Sequence, residues 1–400
     1  MKIGILTYAR TNNYGATLQC YALNKYIRSL GHETIILNVP LTGLSCKNER
    51  KPLYRRILGL PKKVFKKIHR MMVPSNVQSL KDYEIRYQLT PEQSQKEKEY
   101  SDQNMKLFDE FRAKYMPNLT REYFTVEDLK KNYPDADAFV VGSDQVWNVN
   151  ICLDQYPIFF LDFVKPEHKR IAYAACMGGD SNYIFESKQK RHVKEMLDRF
   201  DSILVRNEMA VNICRNNFGL VPKQVLDPTF LIDDYNELLS ESKQNASGSL
   251  FVDKFIINDI WMNVVREIAS RKKLDIRMDR CLIEIKDIPF NPVCKIQDWL
   301  GILNTADLIF TDSFHCSVFC ILFRKQFVVA PSYHGGEGRM IDLLKKLGLE
   351  DRFYSNPQDL MDNFEVWSQP INYDEVHKRI KTLREESREY LIKALDGVNK

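Results

Sequence analysis

The sequence predicts an α/β protein built from two domains. Its 400 residues exceed the usual size of a single hydrophobic core, and 44% hydrophobic residues are enough to bury two large cores. Strand and helix signals alternate along most of the chain. At the start, a strand at residues 2–7 precedes a helix at 14–30, which ends at Gly31, and a second strand at 33–37. Such a βαβ unit pairs its strands in parallel with a right-handed crossover.

The first domain is predicted to span residues 1–235. Short apolar runs predict further strands at 138–141, 170–175, 202–205 and 224–226, with a helix at 187–200. The dipeptide Asp227-Pro228 follows the last of these runs and predicts a domain boundary. A segment rich in Ser, Lys, Gln and Gly at residues 240–249 reads as a linker or exposed loop.

The second domain is predicted to span residues 245–400. Its strands are expected at 250–256, 308–310 and 327–330, and its helices at 261–268, 298–304 and 315–323. A last helix at 373–395 is strongly charged, which is typical of an exposed C-terminal helix.

A basic helical insertion is predicted within the first domain at about residues 45–130. Residues 47–70 hold ten Lys or Arg against one Glu, in an amphipathic helical pattern interrupted by Pro61. Two interpretations stand side by side. The helix packs its apolar stripe on the domain, or it attaches the protein to an anionic membrane surface, which would suit a lipid-linked substrate.

Charge and cysteine usage narrow the classes of function. A net charge of +5 fits anionic ligands or an anionic surface, but without aromatic-basic motifs it predicts no nucleic-acid partner. The nine cysteines form no CxxC pair and sit mostly in apolar runs, so buried reduced thiols are expected, without disulfides or a metal site. With no signal peptide and no apolar run near the roughly 20 residues that span a bilayer, the protein is predicted to be cytoplasmic, and contact with the inner membrane face stays open.

Five segments share one design, in which an apolar strand is followed by small or polar residues and then by a helix. In open α/β sheets, ligands bind outside the carboxyl ends of the strands. The first four segments are expected to line one edge of the first sheet, and the fifth to face them across a cleft. None of them is a dinucleotide-binding or P-loop motif. The segments are residues 7–15, 142–148, 175–179, 205–208 and 311–315.

Four residues in these segments are candidates for catalysis or for binding a charged group. His315 begins an apolar helix, where it could exchange protons near neutral pH and touch an anion, or merely cap and pack the helix. Arg206 directly follows a strand and could hold a phosphate or carboxylate bidentately, or pair with a surface carboxylate. Asp144 and Asp312 each read as a general base or as a helix N-cap.

Other residues in the same segments are candidates for substrate binding. Trp147 stands beside Gln145 and Asn148, an arrangement common in sugar-binding clefts, although a tryptophan is also typical of a core. Arg339 ends a glycine-rich loop that could bring it over a bound anion. The remaining candidates are Asn13, Gly15, Ser143 and Ser313.

Taken together, these segments resemble the polysaccharide pyruvyl transferase family. The resembling stretches are residues 3–30, 139–148, 170–178, 203–210, 225–232 and 306–349, in the family's order. The resemblance implies two Rossmann-like domains in a GT-B-like arrangement, with the active site in the interdomain cleft. It also implies transfer of a pyruvyl group from phosphoenolpyruvate to sugar hydroxyls of a surface polysaccharide or its precursor. A ketal would form and phosphate would leave, with no cofactor and no metal.

The resemblance also implies roles for single residues. It places the family's strand-end arginine on Arg206 and its histidine on His315, which would protonate the methylene carbon of phosphoenolpyruvate while Asp144 acts as base. Many members carry an arginine two residues before the histidine, where this chain has Ser313. The substitutes considered are Arg339, Lys325 and Arg324. Two other functions remain open: a sugar-nucleotide glycosyltransferase of the same shape, and a non-catalytic binding protein of a polysaccharide pathway.

Overall fold

A computed structural model describes residues 1–41, 90–178, 185, 187–255, 257–281, 283–331 and 337–397. Within these residues the chain forms two parallel β-sheets, one of seven strands and one of five, flanked by helices. The basic helix predicted at residues 47–70 lies outside the described residues. None of the described helices is both long and apolar enough to cross a membrane.

The first sheet has the strand order β3-β2-β1-β4-β5-β6-β7, with parallel pairing throughout. Its strands are buried apolar runs, as in β4, where all four residues are buried. The strands are β1 (Lys2–Leu6), β2 (Glu33–Asn38), β3 (Leu119–Glu122), β4 (Ala138–Val141), β5 (Lys169–Ala175), β6 (Ser202–Val205) and β7 (Lys223–Gln224). The helices of this part are α1 (Tyr14–Ser29), α2 (Pro91–Tyr115), α3 (Val126–Lys131), α4 (Val149–Cys152), α5 (Tyr156–Phe159), α6 (Ser187–Leu197) and α7 (Glu208–Phe218).

The second sheet repeats this plan with the order β10-β9-β8-β11-β12, again parallel. Its strands are β8 (Ser249–Asp253), β9 (Asp275–Asp279), β10 (Phe290–Asn291), β11 (Leu308–Thr311) and β12 (Gln326–Val329). The helices are α8 (Asn236–Leu239), α9 (Asp259–Lys272), α10 (Ile296–Thr305), α11 (Phe314–Leu322), α12 (Glu337–Leu347), α13 (Pro357–Asp362), α14 (Phe364–Trp367) and α15 (Tyr373–Asp396).

The strand order reverses near the middle of each sheet, between β1 and β4 in the first and between β8 and β11 in the second. A reversal of this kind opens a crevice at the carboxyl ends of the two strands, and this is where doubly wound sheets bind ligands. The predicted pair of Rossmann-like domains is therefore confirmed. The two reversals also identify the edges of the sheets where a site is expected.

Helix α15 contacts both domains. It begins in the second domain, where the Tyr373 hydroxyl donates to the carbonyl of Cys320 at 3.3 Å. It then crosses to the first domain, where Ser387 Oγ accepts a hydrogen bond from the backbone N–H of Leu226 at 2.9 Å. Leu395 near its end is fully buried. The charged face of the helix is exposed, as expected, whereas its apolar face packs on both domains, a span that the sequence did not predict.

Candidate active site

The strand-end segments of the first sheet lie side by side, as predicted. Strands β1, β4, β5 and β6 are consecutive neighbours, so their carboxyl ends share one edge. The turn after β4 is held against the end of β5 by a bridge between Asp144 and Ala175. Asp144 has a φ of 76°, a left-handed conformation that is uncommon outside glycine. Backbone strain of this kind clusters at functional sites.

The carboxylate of Asp227 organises the centre of this edge. Its side chain is fully buried and accepts hydrogen bonds from Ser143 Oγ at 2.7 Å and from Arg206 Nη1 at 3.0 Å. The backbone N–H and the hydroxyl of Thr229 donate to its other oxygen at 3.0 and 2.7 Å. His315 Nε2 lies 3.4 Å from Asp227 Oδ2, without the alignment of a hydrogen bond.

Asp227 is ionised in this setting. Burial by itself would raise the pKa of the carboxyl, but the charges of His315 and Arg206 and the donated hydrogen bonds hold that pKa well below its usual range. From its sequence position, Asp227 was interpreted only as part of a domain boundary. Its position directly after a predicted strand, like that of Arg206, was the signal that could have placed it in the site.

One edge of the Arg206 guanidinium is hydrogen-bonded to the protein, and the other edge has no hydrogen-bond partner among the described residues. Nη1 donates to Ser143 and Asp227, and the guanidinium lies 4.4 Å from the centre of the Phe314 ring. The side chain is 2% exposed, yet Nε and Nη2 have no hydrogen-bond partner among the described residues. Burial excludes the surface ion pair considered for Arg206. Buried N–H groups without a partner are rare, and an open guanidinium edge matches a phosphate or carboxylate.

A second arginine, Arg339, lies near the carboxylate of Asp144, which Arg206 also approaches. Arg206 Nη2 lies 3.8 Å and Arg339 Nη1 lies 4.0 Å from Asp144 Oδ1. Burial, together with the charge of Arg206, lowers the pKa of the Arg339 guanidinium. Arg339 lies within helix α12, whereas Gly335 of the loop proposed to carry it is outside the described residues. Asp144 thus lies within 4.0 Å of both guanidinium groups, while Asp227 pairs with Arg206 alone.

Asp144 does not cap a helix. Its Oδ1 accepts from the backbone N–H of Gln145 at 2.8 Å, and the next helix, α4, is capped by Asn148 instead. The N-cap interpretation of Asp144 was therefore wrong. Asn148 also donates to Gln145 Oε1 at 3.0 Å, and this amide pair lies against Gly178.

His315 contacts the first domain at Gly15. A Cβ atom built on Gly15 would lie only 2.1 Å from His315 Nδ1, so the imidazole can occupy this position only because residue 15 has no side chain. Gly15 is in the first turn of α1, whose N-cap Asn13 accepts a hydrogen bond from the backbone N–H of Ala16 at 3.1 Å. The histidine of the second domain therefore packs on a helix N-terminus of the first.

Trp147 belongs to the hydrophobic core. Its side chain is fully buried, Nε1 donates to the carbonyl of Phe159 at 2.9 Å, and the indole stacks on Phe160 with ring centres 5.2 Å apart. A sugar could reach neither face of the ring. The proposed role of Trp147 in sugar binding was wrong, because polar neighbours in sequence do not place a side chain on the surface.

In the second domain, Ser313 and Asp312 have distinct roles. Ser313 is the N-cap of α11 and accepts from the backbone N–H of Cys316 at 3.3 Å, so Asp312 is not the cap. Asp312 accepts from the backbone N–H of Phe255 at 2.8 Å and lies 3.4 Å from Lys254 Nζ. Both charged side chains are nearly inaccessible, and burial lowers the pKa of Lys254. Lys254, which directly follows β8, was not predicted.

Two of the substitutes considered for the family's missing arginine lie away from this edge. Lys325 Nζ donates to the carbonyl of Asn304 at 3.1 Å, and Arg324 pairs with the exposed carboxylate of Asp374 at 2.8 Å. Arg339 is the candidate that lies beside Arg206.

Comparison with solved structures defines the class of fold. A putative UDP-N-acetylglucosamine 2-epimerase from Listeria monocytogenes is similar over 100% of this chain and 97% of its own, with 10% identity and a TM-score of 0.51. A UDP complex of MnaA from S. aureus is similar over 98% of this chain and 95% of its own, with 11% identity and a TM-score of 0.49. At such low identity the first likeness shows a shared fold alone. The predicted GT-B-like pair of α/β domains is confirmed.

The sequence identifies the family. The family model described as polysaccharide pyruvyl transferase matches residues 13–332, which is most of the chain and includes every strand-end segment but the start of the first. The protein therefore belongs to the polysaccharide pyruvyl transferase family. No curated protein matches the sequence.

Proposed function

We propose that the protein transfers a pyruvyl group from phosphoenolpyruvate to two hydroxyls of a sugar, forming a ketal and releasing phosphate. The observation that carries this proposal is the buried edge of Arg206 that has no hydrogen-bond partner among the described residues. Arg339 lies beside Arg206, and His315 lies against Asp227, the carboxylate that anchors Arg206. The family assignment supports a transferase that acts on a polysaccharide. The acceptor would be a surface polysaccharide or its precursor.

The two arginines suit the charges of the donor. Phosphoenolpyruvate carries a carboxylate and a phosphate, and planar guanidinium groups bind both in a bidentate manner. Asp227 fixes the orientation of Arg206 from behind, so the open edge is already in place before a ligand arrives. Preorganised cations of this kind stabilise charge that develops during a reaction without a cost in reorganisation.

The chemistry needs one proton donor and one base. His315 would protonate the methylene carbon of phosphoenolpyruvate and create an oxocarbenium-like centre at the neighbouring carbon. Asp144, which faces both arginines, would accept the proton of the sugar hydroxyl that adds to this centre. Phosphate then leaves with its bonding electrons and takes up the proton from Asp144. A second hydroxyl of the sugar closes the ketal, and its proton would return to His315.

The direct test is turnover by the purified protein with phosphoenolpyruvate and a panel of β-galactosides. We expect phosphate release matched by a product whose mass has gained one pyruvyl ketal. His315→Ala and Arg206→Ala should each lower turnover by a factor of about 100 or more while circular dichroism stays unchanged. Normal turnover in either variant would remove that residue from the mechanism.

A thermal-shift experiment separates this function from its nearest rival. A sugar-nucleotide glycosyltransferase could have the same two-domain shape, but it would bind a nucleoside diphosphate. Stabilisation by phosphoenolpyruvate and not by UDP or GDP supports pyruvyl transfer. The reverse result would favour glycosyl transfer. Binding of a saccharide without turnover of any donor would favour a binding protein.

The basic segment at residues 47–70 supports a proposal about location. A cytoplasmic protein with ten Lys or Arg in this segment would contact an anionic membrane face, where a lipid-linked acceptor would be found. Pelleting with anionic liposomes should occur at low salt and weaken as salt is added. Absence of pelleting at low salt would exclude the contact.

A further inference from the structure

We infer that Arg280 forms an anion-binding subsite at the carboxyl edge of the second sheet, for a phosphate or carboxylate group of a substrate. The subsite faces the first domain at the N-terminus of α1. The assignment of its ligand to donor or acceptor rests on the proposed function, but the existence of the subsite does not.

The backbone at Arg280 is strained and fixed. Arg280 directly follows β9, and its φ of 64° is left-handed. Its backbone N–H donates to the carbonyl of Asn291 at 2.7 Å, which holds the turn. Strand β9 lies beside β8, one of the two strands at the reversal of the sheet. A non-glycine residue in this conformation directly after a strand parallels Asp144 in the first domain.

The guanidinium of Arg280 rests on a rigid aromatic platform. It lies 4.2 Å from the ring centre of Tyr14, a cation–π distance. Tyr14 is itself fixed, because its hydroxyl donates to the carbonyl of Cys294 at 2.5 Å and its ring stacks on Trp299 with centres 5.0 Å apart. An arginine stacked on a ring keeps its N–H edge available for an anion.

Tyr14 precedes Gly15, the residue that contacts His315, the proposed acid. Tyr14 and Gly15 are consecutive residues in the first turn of α1. Arg280 stands over Tyr14, and His315 packs on Gly15. Arg280 and His315 therefore contact consecutive residues at the same helix N-terminus.

The charge of Arg280 is only loosely compensated. Its side chain is 25% exposed, and in the described part of the chain its guanidinium donates no hydrogen bond, while its ion-pair contact is Asp253 Oδ1 at 3.9 Å. Burial raises the pKa of Asp253, and the charge of Arg280 opposes that rise. The neighbouring carboxylates have other partners: Asp279 pairs with Arg277 at 2.6 Å and Asp312 with Lys254 at 3.4 Å. A partly exposed arginine with spare donors is left beside Tyr14 at the N-terminus of α1.

The experiment is titration calorimetry of the full-length protein with four classes of probe. The first two classes are inorganic phosphate and phosphoenolpyruvate. The other two are the hexose 1-phosphates, namely those of galactose, glucose and mannose, and the methyl glycosides of the same three hexoses. Arg280→Gln removes the charge and keeps much of the shape, whereas Arg280→Lys keeps the charge. Arg271→Gln is the matched control, since Arg271 is an exposed arginine paired with Glu267 on α9.

We expect Arg280→Gln to weaken binding of a phosphate-bearing probe by about tenfold, the cost of one lost charged hydrogen bond. Arg280→Lys should recover part of the affinity, and neither Arg271→Gln nor the methyl glycosides should show the loss. A loss confined to phosphoenolpyruvate assigns the subsite to the donor, and a loss confined to the hexose 1-phosphates assigns it to the acceptor.

The inference is overturned if Arg280→Gln binds every phosphate-bearing probe as the wild type does, or if the wild type binds none of them. An equal loss for the methyl glycosides would also overturn it, because that loss would not depend on an anion. Failure of the wild type to bind phosphoenolpyruvate contradicts the proposed function alone, since phosphate and the hexose 1-phosphates still test Arg280.

Discussion

At the scale of single residues, the buried carboxylate of Asp227 joins the two groups that the proposed chemistry needs. It anchors Arg206 by a hydrogen bond of 3.0 Å and touches His315 at 3.4 Å. A charge pair so deeply buried adds little net stability, but removal of one partner leaves the other charge uncompensated. Asp227 is therefore expected to position catalytic residues rather than to react itself.

Asp227→Asn tests this positioning role. We expect turnover to fall about 100-fold, because the two side chains lose their common anchor. The free energy of unfolding should fall by about 3 kcal/mol near neutral pH. The exposed Asp198→Asn, which breaks a surface ion pair with Lys194, is the control and should change little. Wild-type turnover in Asp227→Asn would contradict the role.

The free energy of unfolding of Asp227→Asn, compared with that of the wild type, should depend on pH. The folded-state pKa of Asp227 is depressed, so its stabilisation is fully present above the unfolded pKa of about 3.9 and is lost as the pH falls toward the folded value. The difference in unfolding free energy between wild type and Asp227→Asn should therefore be largest above about pH 5 and shrink toward pH 3. Chemical denaturation across this range measures it, and a difference that grows on acidification would show that the sign is wrong.

The contact between Gly15 and His315 lends itself to a double-mutant cycle. Gly15→Ala places a Cβ atom 2.1 Å from Nδ1, so the imidazole must move, at a cost of about 1–3 kcal/mol in stability. In a His315→Ala background the clash is gone, and the cost should vanish or become a small gain because alanine favours helix. Denaturation of the four proteins gives the coupling. Equal costs in both backgrounds would mean that the contact does not exist in solution.

Sequence reasoning identified residues in the site but not how they are connected. Arg206, Asp144 and His315 could be found because polar residues after apolar strands gather at one edge of a parallel sheet. Asp227 also follows a predicted strand, but its pairing with Arg206 and His315 depends on tertiary distances that the sequence does not contain. Trp147 was misplaced for a similar reason, since a local pattern cannot tell which face of a turn is buried.

At the scale of elements, the segment before His315 is shaped by helix capping. Ser313, which stands where many family members carry an arginine, is the N-cap of α11. Ser313→Ala should cost about 1 kcal/mol, whereas Ser313→Thr, which keeps a capping hydroxyl, should cost at most a few tenths. Urea denaturation of the two variants makes the comparison. No cost in Ser313→Ala would contradict the capping role.

The central strands were predictable because each is a short apolar run that is buried on both faces. Strands β4 and β6 were predicted to the residue, at Ala138–Val141 and Ser202–Val205. Strands β3, β9 and β10 were not predicted, because they lie toward the edges of their sheets and carry charged or polar residues.

At the scale of the whole molecule, helix α15 ties the second domain back to the first beside the candidate site. Ser387 Oγ accepts the backbone N–H of Leu226, the residue just before Asp227. Ser387→Ala should leave this buried donor without a partner and cost about 1–2 kcal/mol. The exposed Ser94→Ala on α2 is the control, and both are measured by thermal unfolding. Equal stability of Ser387→Ala and Ser94→Ala would argue against a stabilising hydrogen bond between Ser387 and Leu226.

The dissociation constant of phosphoenolpyruvate, measured by titration calorimetry, shows whether the two arginines hold the anionic donor. We predict binding by the wild type that is weakened at least about tenfold in Arg339→Gln and in Arg206→Lys, and is unchanged in Arg271→Gln. Arg206→Lys keeps a charge opposite Asp227, so loss of affinity in a folded variant reports on the open guanidinium edge. Absence of binding by the wild type, or unchanged affinity in both site variants, would contradict the account.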